Sequence, residues 1–134
     1  MVSGAVVACF GPTDPGKVGV PVVGSWSYVA TQGAPAAAQI NGSLAFSGQT
    51  GAQISGTLDA IEVGAGGQQR RLTGPVAGRT VDSTTLDFDQ LLGDVSRRHV
   101  GQVRGDSLTG TWVETPLDGG LPSASGTFRA SRSR

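Results

Sequence analysis

A glycine, one small or polar residue, then a large apolar residue: this device recurs along the chain from Val22 onward. It reads GSW at Gly24, GSL at Gly42, GTL at Gly56, GPV at Gly74, GQV at Gly101, GTW at Gly110 and GTF at Gly126. An eighth segment, TTLDFDQ at residues 84–90, keeps the alternation without the glycine. Alternation with period two is the mark of a strand with one buried face. One parity carries Trp26, Tyr28, Ile40, Leu44, Phe46, Leu58, Leu72, Phe88, Trp112 and Phe128; the other carries Ser25, Ser43, Asp59, Thr73, Asp87, Arg104, Thr111 and Arg129. The second face is wet, which excludes a transmembrane barrel, whose outward band must be apolar.

The links between these segments are short, so consecutive strands should be antiparallel neighbours. In VRGDSL, a two-residue loop at Gly105 and Asp106 would pair Arg104 with Ser107, set Gly101 against Gly110 and put His99 opposite Trp112. Small residues facing one another leave room for large side chains from flanking strands, as a tapered small barrel requires. The expectation is an all-β, eight-stranded antiparallel up-and-down (meander) barrel over residues 22–132, with 133–134 as a tail; a two-sheet sandwich is the alternative. Pro75 sits inside the fourth strand and cannot donate to a ladder, so a bulge or local gap is expected there.

Composition removes several classes of function. The chain has 134 residues with 22 glycines, 10 basic and 10 acidic side chains, one Cys and one His. Balanced charge gives no electrostatic footprint for nucleic acid. No apolar run approaches the ~20 residues of a membrane helix. One Cys and one His rule out an internal disulfide framework and any metal site built from several such ligands, and no cofactor is implied.

The GSW opening resembles the first strand of calycin barrels, the lipocalin and avidin group, in which a G-x-W motif starts the barrel and a basic residue near the last strand packs on the Trp. Trp26 matches the first element, and Arg132, on the inward parity of the last strand, matches the second. SLTGTW and GTF look most like avidin-type strands. An avidin-type biotin site also needs several Trp, and with only Trp26 and Trp112 present biotin binding is not carried over. The segment VVAC at residues 6–9 resembles a bacterial lipobox, which implies acylation of Cys9. Residues 1–21 then read as a truncated signal and lipobox followed by a flexible tether, FGPTDPGKVGVP. The competing reading of this stretch is a free Cys on a short packed strand, GAVVACF.

Following the strands up and down sorts the inward residues by end. At one end Phe46, Ile54, Leu86, Val103 and Leu108 close the interior. At the other the links are longer, and small residues such as Ala30, Ala38, Ala60 and Ala124 share the inward parity with Tyr28, Arg70, Gln90, Arg97, His99 and Glu114. Tyr28, Arg70, Gln90, His99 and Glu114 are the candidate ligand-binding residues of an open mouth; against this stands a simple Arg97–Glu114 cross-strand pair on a solvated rim. Asp87 and Asp89 face outward, where Gln102 and Arg104 can meet them. Motifs of nucleophilic, zinc-protease or phosphate-loop enzymes are absent. The expected function is therefore an exported, periplasmic or cell-surface lipoprotein barrel, held to a membrane only through Cys9, that binds a small apolar or amphipathic ligand without catalysis. A protein-binding or protease-inhibitor-like barrel is the second class, and an enzyme using His99 and Glu114 the third.

Overall fold

In a computed structural model, residues 20–133 of the chain are described, and all their regular elements are strands. These are β1 (Gly24–Ala34), β2 (Ala38–Thr50), β3 (Gln53–Gly64), β4 (Gln69–Thr80), β5 (Thr85–Leu91), β6 (Val95–Arg104), β7 (Ser107–Pro116) and β8 (Ala124–Arg132). Each pairs antiparallel with the next, and β8 returns to β1 through a ladder from Trp26↔Arg132 to Ala34↔Ser125, closing an eight-stranded barrel. Closure removes the sandwich alternative, because a sandwich would leave β1 and β8 unpaired with one another. Cys9 and the tether fall outside the described residues.

The β6–β7 hairpin has the expected register: Arg104 faces Ser107, Gly101 faces Gly110 and His99 faces Trp112. Gly105 supplies the positive φ of +62° that the two-residue loop demands. A Cβ on Gly110 would collide with the Val100 carbonyl and come within 2.5 Å of Gly101 Cα, so the two strands approach as closely as they do only because both residues lack side chains. The space over Gly101 belongs to Phe128, whose Cζ would lie 2.9 Å from a Cβ there. Thus the glycine of the repeat lets the large residue of a neighbouring strand cross the interior.

Pro75 behaves as its missing N–H requires. The β3–β4 register passes through it without a shift, Thr57 opposite Pro75. On its other side the β4–β5 ladder runs only from Thr80↔Leu86 to Val76↔Gln90 and stops one residue short of Pro75. Above that point the Leu91 carbonyl lies close against Gly74, Leu92 packs on the core, and the Gln90 amide reaches across to the carbonyls of Leu58 and Leu72 at 3.0 and 3.2 Å.

The closed end is sealed more thoroughly than the alternation implies. Val22 is fully buried beneath the barrel, and its carbonyl accepts the Trp26 indole N–H at 3.0 Å. Gln49 clamps the same segment, accepting from Val22 N and donating to the Val20 carbonyl, both at 3.0 Å. Arg132 lies over the Trp26 ring, 4.4 Å from its centroid, and donates to the carbonyls of Pro21 and Val23. The Trp–Arg contact implied by the calycin resemblance is present. Val20 and Pro21, assigned to the tether from sequence, instead belong to the barrel's base, because their carbonyls satisfy Gln49 and Arg132.

Candidate functional site

The inward faces of β3, β4, β6 and β7 bring four charged side chains to the open end. Arg97 and Glu114 are direct cross-strand partners, and Arg97 Nε donates to Glu114 Oε1 at 2.8 Å. Arg97 Nη2 donates to Glu62 Oε1 at 3.0 Å. The Arg97 side chain is 1% exposed, and its guanidinium carbon lies over Trp112, 4.2 Å from the ring centroid. Arg70 approaches the same two oxygens from above, 3.3 Å from Glu62 and 3.6 Å from Glu114, with its side chain 53% exposed. Ser123 donates to the second oxygen of Glu114 at 3.0 Å. Burial pushes the Glu114 carboxyl up, but hydrogen bonding and charge from Arg97, with help from Ser123 and Arg70, outweigh it and hold the group below its ordinary value.

Over this cluster lies an open depression of about 370 Å³, lined by Glu62, Arg70 and Glu114 together with Gln32, Pro35, Gln68, Gln69 and Ser123. Of the candidate residues named from sequence, Arg70 and Glu114 line this depression. The sequence reading did not include Glu62, which sits near the end of β3, a strand that runs on to Gly64. The signal was available: Leu58, Ala60 and Glu62 share one parity.

Tyr28, Gln90 and His99 do not line this depression. They face the interior and are 0–2% exposed. His99 Nδ1 lies 3.1 Å from the Arg97 carbonyl, which can only accept, so Nδ1 carries the proton and Nε2 accepts from the Tyr28 hydroxyl at 2.8 Å. The ring stacks on Phe88 at 4.8 Å and meets Phe128 edge-on at 5.0 Å. Burial, added to the nearby Arg97 charge and only partly opposed by the carbonyl bond, pushes the imidazole down to about 3. Burial likewise raises the Tyr28 phenol against the pull of Arg97. With both ring nitrogens engaged and no path to solvent, His99 offers no base to a substrate, and Glu114 is held in its ion pairs. The structure does not bring His99 and Glu114, the pair named in the enzyme alternative, together at the depression.

The interior itself is full. A ligand cavity would leave its walls accessible to water, yet Trp26, Leu44, Phe88, His99 and Leu108 have no exposed surface. Any ligand of the barrel is thereby confined to the open mouth, where the sequence reading expected it. Two buried atoms beside Arg97 lack a partner among the described residues: Gln90 Oε1, in register with Arg97 on β5, and Trp112 Nε1, under the Arg97 guanidinium.

A larger hollow, about 800 Å³, is an open trough in the outer wall of β2–β6, lined in part by the small residues Gly48, Ser55 and Ala77. It holds the outward acids, but not in the expected pairing. Arg98, not Gln102 or Arg104, forks Asp87 at 3.0 and 2.6 Å, and this bond is the main reason the Asp87 carboxyl sits low. Asp89 is pushed up by partial burial and by Asp87. No group of three or more His, Cys, Asp or Glu able to hold a metal occurs among the described residues.

No family model and no curated protein matches the chain. Solved structures do. The bradavidin2–biotin complex shares 20% identity over 86% of this chain and 100% of its own, with a TM-score of 0.57. A de novo designed fluorescence-activating β-barrel matches over 84% of this chain and 94% of its own at 15% identity and a TM-score of 0.64. The redesigned barrel mFAP1 bound to DFHBI matches over 82% and 94% at 17% identity and a TM-score of 0.62. At these identities the likeness concerns architecture, and the architecture is an avidin-like, eight-stranded closed β-barrel.

Proposed function

We propose that the chain is a non-catalytic binding barrel that receives a small amphipathic ligand at its open end, its polar end on the Glu62–Arg70–Arg97–Glu114 cluster and its body in the mouth rather than in the interior. The contrast between the two regions carries this reading: the interior is filled, while four charged side chains from four strands converge beside a depression of about 370 Å³. Convergence of polar groups on a concave site held by a rigid scaffold is what small-molecule sites share. Bradavidin2 with biotin and mFAP1 with DFHBI, barrels of the same architecture in complex with small molecules, support it. The test is a fragment screen followed by amide chemical shifts. Ligands should move resonances of Gln32, Glu62, Arg70, Glu114 and Ser123 and leave those of Trp26 and Phe88 unchanged. Hits confined to the outer wall would overturn the assignment.

A second reading, a protein-binding or inhibitor-like barrel, draws on the β7–β8 link, where Leu117 and Leu121 are 56% and 86% exposed beside the same mouth. Leu121→Ser separates the two: it should weaken a protein complex and leave small-ligand binding intact.

We also infer export and acylation at Cys9, on the strength of the VVAC pattern. In a full-length precursor, Cys9→Ser should abolish membrane fractionation without changing the barrel's thermal midpoint. Persistent membrane association would count against the anchor.

A further inference from the structure

The charge arithmetic of the mouth, taken with the binding reading above on which it rests, identifies the ligand's chemical class. Two carboxylates, Glu62 and Glu114, share one buried guanidinium. Arg97 spends Nε on the first oxygen of Glu114 and Nη2 on the first oxygen of Glu62, and it is covered so completely that it can serve nothing else. One unit of negative charge is left over, and it faces the depression.

Arg70 neutralises that charge from the solvent side, but weakly. A single nitrogen, Nη2, reaches both carboxylates at 3.3 and 3.6 Å, on oxygens that Arg97 already occupies at shorter distance. Its side chain is half exposed, the condition in which an ion pair contributes least. A shared charge facing the depression and held only by this long, half-exposed contact leaves room there for a better-placed donor carrying positive charge.

We propose that the mouth takes a small organic cation, a guanidinium or ammonium on a short apolar stem, in the seat that Arg70 occupies above Glu62 and Glu114. Arg70 is then a resident competitor. It keeps the leftover charge neutral when the site is empty and swings into solvent when a ligand cation replaces it. A carboxylate ligand would be the reverse case: it would need Arg70 as its partner and would be repelled by both glutamates.

The experiment follows amide spectra of the full chain titrated with n-butylguanidinium, n-butylammonium and n-butyrate. It uses the wild type, Arg70→Ala, Arg70→Gln and Arg70→Ala with Glu62→Gln. Removing the competitor should tighten n-butylguanidinium binding about fivefold, the equivalent of one exposed ion pair. Adding Glu62→Gln should return it to the wild-type level or below, and n-butyrate should bind none of the four. Arg70→Gln guards against a folding defect, since it keeps a polar side chain at the rim and should behave as Arg70→Ala does. Equal cation affinity with and without Arg70 overturns the inference. Butyrate that binds the wild type and is lost in Arg70→Ala also overturns it, while leaving the mouth as a binding site. If no probe moves a mouth resonance in any variant, the mouth reading falls as well.

Discussion

Sealing a neutral imidazole inside the barrel makes stability depend on pH in a window that only His99 controls. The chain has one histidine, with an unfolded value near 6.5 and a folded one of about 3. The folded state refuses a proton that the unfolded chain accepts, so this contribution is complete above pH 6.5 and is lost as pH falls from there toward 3. The slope approaches about 1.4 kcal/mol per pH unit, and the loss between pH 7.5 and 5.0 comes to about 2 kcal/mol. Other shifted acids act elsewhere. Glu114 and Asp87 are held below their ordinary values, so what they contribute is lost only as pH falls below 4.5 and 3.8. Asp89 is raised, and the stability tied to its proton is present at low pH and lost on the way up, the opposite sign. The assay is urea unfolding of the wild type and of Tyr28→Phe with His99→Phe at pH 7.5, 6.5, 5.5 and 5.0. Both residues are changed because His99→Phe alone would orphan the Tyr28 hydroxyl, whereas replacing both partners by apolar rings removes the hydrogen bond cleanly. The wild type should lose about 2 kcal/mol over this range and the double variant almost none. A flat wild-type profile, or the same slope in both proteins, would refute the argument.

Three further outcomes are expected. Arg97→Met should cost about 3–5 kcal/mol, since it leaves two carboxylates facing each other with only the half-exposed Arg70 between them; an unfolding curve shifted by less than 1 kcal/mol (about one ordinary surface change) would mean that water already screens the cluster. Trp26→Ala should cost about 3–5 kcal/mol, and a double-mutant cycle with Arg132→Ala should show coupling of about 1 kcal/mol; strictly additive effects would deny the stacking seen at 4.4 Å. Gly110→Ala should lose about 1–3 kcal/mol by forcing β6 and β7 apart, and a thermal midpoint equal to that of the wild type would show that the strands can yield there.

How far the sequence speaks depends on whether a position is governed by alternation or by where a strand ends. Trp26, Leu44, Phe88 and Phe128 read correctly because parity alone sends them inward. The Gly101–Gly110 register was legible for a local reason, the two-residue loop at Gly105. Glu62 was not: its role depends on β3 running on to Gly64, and the Gly-rich AGG that follows looks like an earlier stop. Val20 and Pro21 carry no periodic signal, since what ties them to the barrel is the reach of Gln49 and Arg132. Tyr28, Gln90 and His99 were assigned inward correctly, but alternation says nothing about depth, and depth decided that they are sealed rather than presented at the rim.

The short β4–β5 ladder gives the barrel a preferred direction of breathing. Above Val76↔Gln90, β4 is in ladder register with β3 only, through Gln69–Pro75, and what meets it on the other side is the Leu91 carbonyl close against Gly74 and the side chain of Leu92. Segments held by few ladder bonds open at lower free energy than the rest of a fold. Arg70 and Leu72 ride on that stretch, so an outward swing of a few residues would carry the competitor cation away from the rim and uncover the flank of the packed interior together, at the cost of the Gln90 amide bond to the Leu72 carbonyl but of no backbone β4–β5 rung. Amides of residues 70–74 and 91–93 should therefore exchange with solvent ahead of those in β7 and β8. The seam with the shortest ladder in this barrel is thus the one that borders the mouth.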